Sequence, residues 1–176
     1  MTTLKQLNPA DIDGKLIDMI GNQWMLVTSG NIDSFNMMTA SWGFLGYIWG
    51  FPAAMCVVRP TRYTKEWIDK TQSYTLSFFP SKYKKTLQLL GTKSGREMDK
   101  MHESGLTPIQ LPTGDVGYQE AELTIVCHVA YEQVMNESSF HDKSIMPRWY
   151  PLGATDLHTM YIGQITAAYL KKSSLF

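Results

Sequence analysis

Thr124-Ile125-Val126-Cys127-His128-Val129 is too rich in β-branched residues to be a helix, and it is one of at least six strand-like runs in this chain. Trp24 to Thr28 and Met37 to Trp42 read as a hairpin, because Ser29-Gly30-Asn31 with Asp33-Ser34 supplies turn chemistry between them. Ala53 to Val58 is apolar throughout, the pattern of a strand covered on both faces, and Ser73 to Phe79 is β-branched and aromatic up to Pro80. A long run from Glu120 to Met135 and a last strand from Met160 to Tyr169 follow. The helical segments are short. Asp13 to Ile20 puts Leu16, Ile17 and Ile20 on one face ahead of Gly21-Asn22, and Thr64 caps a helix through Lys70. Ser81 caps another, with Tyr83, Leu87 and Leu90 in helical register up to Gly91, and Glu97 to Ser104 ends at Gly105. Strands and helices do not alternate strictly, so the pattern points to a mainly β architecture, an antiparallel barrel with helical insertions, rather than a doubly wound sheet.

The chain's 176 residues suit one domain spanning 1–176 with its own core. Sixteen basic residues balance sixteen acidic ones, which argues against nucleic acid or a membrane surface as partner, since either calls for a basic excess. Lys82, Lys84 and Lys85 cluster only as a solvated helix face. Cys56 and Cys127 sit in apolar runs and read as buried free thiols, with neither a disulfide framework nor zinc spacing around them. The amino terminus has no basic stretch leading into an apolar run, so no signal peptide is read and the cytoplasm is expected. The apolar span Phe44 to Val58 falls short of the ~20 residues of a membrane helix and is broken by Gly46, Gly50 and Pro52, which makes it a turn between two strands.

Two segments carry the chemistry. Asn36-Met37-Met38-Thr39-Ala40-Ser41-Trp42-Gly43 sets hydroxyls, an aromatic and a glycine on a strand, and Val58-Arg59-Pro60-Thr61-Arg62-Tyr63-Thr64 sets two guanidiniums and two hydroxyls where a strand gives way to a helix. Together they suit a flat aromatic ligand carrying a phosphate, because guanidinium forks and a helix start favour the anion. The pair resembles the flavin reductase-like family, whose members bind FMN. Lys93-Ser94-Gly95-Arg96 with Asp99-Lys100, and the run from Asp156 through His158 and Gly163 to Ile165, are similar to further elements of that family in the same order.

The resemblance implies an FMN-binding split barrel of antiparallel Greek-key type, and a homodimer with flavin sites near the subunit interface. It assigns Thr61, Arg62 and Thr64 to the phosphate, with Arg59 a fourth candidate whose alternative is an ion pair with a nearby carboxylate. Thr39, Ala40 and Ser41 fall along the ring edge, where amides and small hydroxyls tune the flavin. Trp42 either lies against the flavin or packs, and Ser77 and Phe78 occupy the strand that in the family runs beneath the cofactor, with plain barrel packing as their alternative. Ser94, Gly95, Arg96 and Lys100 offer amides and cations, and in this family such a loop can reach the partner subunit's cofactor; the alternative for Arg96 and Lys100 is surface charge. His158 falls where the family has a histidine near the reactive face of the flavin, with an ordinary pKa suited to orienting a nicotinamide or protonating reduced flavin. Gln164 stands where a glutamate is common, so a carboxylate role there is not carried over.

The expected activity is hydride transfer from NADH or NADPH to bound FMN. No GxGxxG fingerprint is present, and the nicotinamide is expected to stack over the flavin. The alternatives are an FMN-carrying electron-transfer protein serving an electron-acceptor protein, and a barrel binding module that has lost flavin.

Overall fold

The computed structural model describes residues 4–12 and 15–171. Its ten strands are β1 (Leu4–Leu7), β2 (Met25–Asn31), β3 (Ser34–Ala40), β4 (Gly43–Ile48), β5 (Phe51–Val58), β6 (Ser73–Phe78), β7 (Pro108–Gln110), β8 (Val116–Tyr118), β9 (Leu123–Val134) and β10 (Thr159–Lys171). The α-helices are α1 (Leu16–Asp18), α2 (Tyr63–Thr71), α3 (Lys84–Thr92), α4 (Lys100–Ser104) and α5 (Ile145–Trp149).

One antiparallel sheet runs in the order β3-β2-β6-β9-β10-β5-β4. The hairpin pairs β2–β3 and β4–β5 are therefore separated by strands that arrive later in the chain, the Greek-key feature. β10 holds the sheet together: β9 lies along one edge, while β5 takes residues 159–164 and β1 takes residues 168–171 of the other. Register shifts against β9 at Ile162/Gly163 and Ile165/Ala167 bend this strand and help curl the sheet into a split barrel.

Period-two alternation sorts the side chains. Met25, Val27, Met38, Cys56, Tyr74, Leu76, Ile125, Cys127 and Tyr161 fill the barrel interior. Leu26 and Met37 point the other way, into a second core with Leu87, Leu90, Leu106 and Tyr118 beneath α3, α4 and the β7–β8 hairpin. Tyr74 crosses the interior to donate its hydroxyl to the Ala54 carbonyl at 2.8 Å. The backbone of Gly163 leaves room for it, since a Cβ there would stand 2.8 Å from both Tyr74 Oη and Cys127 Cβ. Cys56 and Cys127 are buried and free, and burial pushes the Cys56 thiol up to about 12.

The structure corrects several local expectations. Phe44 to Val58, read as a turn between two strands, is a hairpin, β4–β5, whose reversal is confined to Trp49–Gly50. β3 stops at Ala40, and Ser41-Trp42 form the corner into β4. The opening helix was expected from Asp13, which lies outside the described residues. From Leu16 it makes one short turn and passes into a π-helical turn, Met19–Gln23, running through Gly21-Asn22. Ile20 is buried there, but Ile17 is 91% exposed, because adjacent helix positions differ by ~100° and cannot share a narrow face. α3 passes Gly91 and ends at Thr92. α4 starts only at Lys100, where the Asp99 carboxylate accepts from the amides of Met101 and His102 at 3.0 and 3.1 Å. Among the described residues no helix is long and apolar enough to cross a membrane.

Candidate functional site

Two cavities adjoin at the end of the barrel where β3 breaks into β4 and β5 runs into α2. The first, about 270 Å³, lies between Arg59–Thr64 on one side and the loop after α3, with Lys100, on the other. The second, about 290 Å³, runs along Met38–Trp42 toward Val57, Trp149 and His158. Met38, Arg59 and Arg62 line both, so the two form one bent groove with a polar end and an aromatic end.

The polar end is built around the start of α2. Arg62, not Thr64, is the N-cap residue, extended at φ −78 and ψ 124, and no side chain of its own caps the helix. Thr64 is buried instead: the Asn36 amide oxygen accepts from its Oγ1 at 2.7 Å and its backbone N at 3.2 Å. That commitment to β3 corrects the expectation of a capping threonine, and Asn36 is a site residue that the sequence reading missed. It also explains Gly95, where a Cβ would collide with the Asn36 amide. Thr61 and Ser94 line the cavity, as do Lys93 and the exposed carboxylate of Glu97, neither of which had been singled out as a ligand.

Lys100 comes up from below. It is only 5% exposed and donates to the Met37 carbonyl at 2.8 Å and the Leu90 carbonyl at 2.9 Å. Burial, and then the Arg62 charge, bring its amine down to about 8. Arg62 is itself lowered by burial and by Arg59. Cations that depress one another in a shared cavity create a positive potential, and an anion is what relieves it.

At the aromatic end, Thr39 gives its hydroxyl to the Leu87 carbonyl at 2.5 Å, Ala40 is buried, and Ser41 and Trp42 stand at the corner. The Trp42 ring meets Trp149 edge-on at 5.1 Å and His158 at 5.0 Å. His158 is buried, with Nδ1 2.8 Å from Tyr150 Oη. Burial first, then Arg59 and Arg62, push its imidazole down to about 4. So placed, the imidazole is uncharged near neutrality. Trp149 and Tyr150 were also missed; their one local signal is the aromatic pair between Pro147 and Pro151.

Arg59 makes the ion pair that was its alternative reading. Its Nη1 pairs with the Asp156 carboxylate, and its Nη2 donates to the Trp149 carbonyl at 2.9 Å. Three expected cofactor residues line neither cavity. Ser77 is buried with its hydroxyl 3.2 Å from Thr124 Oγ1, and Phe78 belongs to the barrel core, because β6 is an interior strand between β2 and β9. Arg96 pairs with Glu66 and stacks 4.6 Å over Tyr63, tying its loop to α2.

Solved structures resemble this arrangement in fold. They include an FMN-binding protein from Thermus thermophilus at 19% identity (85% of this chain, 72% of that one, TM-score 0.66). A flavoredoxin from Methanosarcina acetivorans follows at 20% identity (88% and 71%, TM-score 0.66). An FMN-binding domain of a flavin reductases-like enzyme from Shewanella baltica matches at 13% identity (97% and 78%, TM-score 0.67). Among curated proteins nothing matches. The flavin reductase like domain matches residues 18–175, nearly the whole chain, and with the split barrel and its groove already in view this protein belongs to the flavin reductase-like family.

Proposed function

We propose that this protein holds FMN in the bent groove, phosphate toward Thr61, Arg62, Ser94 and Lys100 and ring toward Thr39–Trp42 and His158, and that it works as an NAD(P)H-dependent oxidoreductase. The observation that carries the reading is the sharing of Arg59 and Arg62 by a polar and an aromatic cavity, which matches a ligand with an anionic end and a flat ring. When bound, the flavin supplies the redox chemistry, accepting a hydride from a nicotinamide and passing the electrons on. The chain's own residues bind and orient. Arg62 and the amides at the start of α2 hold the anion; Lys100 adds charge from below while fixing β3 to α3; Trp42 and His158 present flat, uncharged surfaces at the ring end.

A homodimer is part of this proposal. Phe44, Tyr47 and Trp49 on the β4–β5 hairpin are 68%, 73% and 56% exposed, and Trp49 sits in the left-handed region at φ 52 with its ring 6.0 Å from Tyr131. A second copy covering this face would take their apolar surface out of water.

The test is titration of the purified protein with FMN and riboflavin, followed by flavin fluorescence and the visible spectrum. FMN should bind at least a hundredfold tighter, several charge-assisted bonds at ~1.5–3 kcal/mol each being lost with the phosphate. Arg62→Ala should remove most of that preference, and Arg62→Lys should restore only part, a point charge replacing a fork. Equal affinity for the two ligands defeats the phosphate assignment. A second reading, an electron carrier without nicotinamide activity, would hold FMN in the same groove. Steady-state oxidation of NADH or NADPH by the FMN-loaded protein separates the two.

A further inference from the structure

Arg59 lies at the bend of the groove, yet its guanidinium contacts among the described residues run to one segment, the strap of residues 136–156 between β9 and β10. Its guanidinium pairs with Asp156, donates to the Trp149 carbonyl at 2.9 Å and lies 5.3 Å over the Tyr150 ring. Tyr150 is hydrogen-bonded in turn to His158 at 2.8 Å. The residue so held is Trp149, still 41% exposed, its ring turned 88° to that of Trp42 at 5.1 Å. Two perpendicular indoles at the mouth of a cavity form a corner: a flat ring that stacks on one meets the other edge to face, the two arrangements that aromatic quadrupoles favour. A puckered or bulky group satisfies neither.

We propose that the strap is a ring clamp, in which Trp149 selects a planar heteroaromatic ring and Arg59 is the positioning residue that holds Trp149 in place, rather than a ligand of the phosphate. The inference rests on the FMN reading above, and its test uses the same two probes. Trp149→Ala should weaken FMN and riboflavin by the same factor, about three- to tenfold, because both carry the ring. Arg59→Ala should do the same to both ligands, whereas loss of a phosphate ligand would spare riboflavin. Asp156→Asn leaves the guanidinium in place and removes the charge of its ion pair with the strap, so it should weaken both ligands by one common factor, in the direction of Arg59→Ala but smaller. In the double variant Arg59→Ala/Trp149→Ala the loss should not exceed that of Trp149→Ala alone, since one acts through the other.

A loss confined to FMN in Arg59→Ala, with Asp156→Asn unaffected, overturns the proposal and makes Arg59 a phosphate ligand. Multiplying losses in the double variant, or unchanged affinities in Trp149→Ala, overturn it as well. If the unsubstituted protein binds neither probe, the FMN reading itself fails and the clamp with it; if it binds FMN and only the clamp variants behave as parent, the FMN reading stands alone.

Discussion

At pH 7 His158 is uncharged, its imidazole brought down to about 4 by burial and by Arg59 and Arg62, and this has a measurable cost in acid. The folded pKa lies below the ordinary 6.5, so between pH 6.5 and 4 the unfolded chain binds more protons and stability falls as pH falls. The contribution is fully present above 6.5, and about 3 kcal/mol of it is lost by pH 4. Urea unfolding of the parent and of His158→Asn at pH 7 and 4.5 should show the parent losing more; equal losses would mean that His158 titrates normally. Lys100 makes the opposite kind of statement about ligand. Its amine, at about 8, is charged below that value and neutral above it, so an anionic ligand should bind with proton uptake above pH 8 and weaken by up to tenfold per unit. FMN dissociation constants at pH 7, 8 and 9 check this, and a flat profile removes Lys100 from the phosphate site. The residue types were legible in the sequence at both positions, but their protonation was not, because it comes first from burial and then from cations brought in by other segments.

At the level of elements, the clearest constraint is the crossing of β10 over Tyr74. Gly163→Ala would force a methyl into a space 2.8 Å from Tyr74 Oη and Cys127 Cβ, and should cost about 1–3 kcal/mol by overpacking, read as a lower urea midpoint with FMN absent. An unchanged midpoint would show that the barrel yields there. The strands β2, β3, β5, β6, β9 and β10 were visible as runs of β-branched and apolar residues, since that pattern follows directly from a two-sided pleated surface. β1, β7, β8 and α5 were not, being short segments of three to five residues whose stability comes from the neighbours they meet. Thr64 shows how the same thing happens at one position: a local preference for capping is overridden by Asn36, a residue on β3 that packs against the helix.

For the whole molecule, the exposed face of β4–β5 makes the oligomeric state the quantity to measure. Light scattering of the FMN-loaded protein should return about twice the 20.0 kDa chain mass, and Tyr47→Asp, at a position 73% exposed, should shift it toward monomer without unfolding the chain. A 20.0 kDa particle from the parent would remove the dimer from the proposal. What the sequence determined by itself was the class of fold and the two chemistries of the groove, because strand periodicity and clusters such as Thr61-Arg62-Tyr63-Thr64 are local properties of the chain. Only the tertiary structure decided which residues share a cavity. It brought Lys100 under β3, turned Arg59 to Asp156 and Arg96 to Glu66, sealed Ser77 and Phe78 inside the sheet, and laid Trp149 across Trp42. Those outcomes depend on contacts between residues far apart in the chain, whose geometry is set by how the whole barrel closes and not by any segment alone.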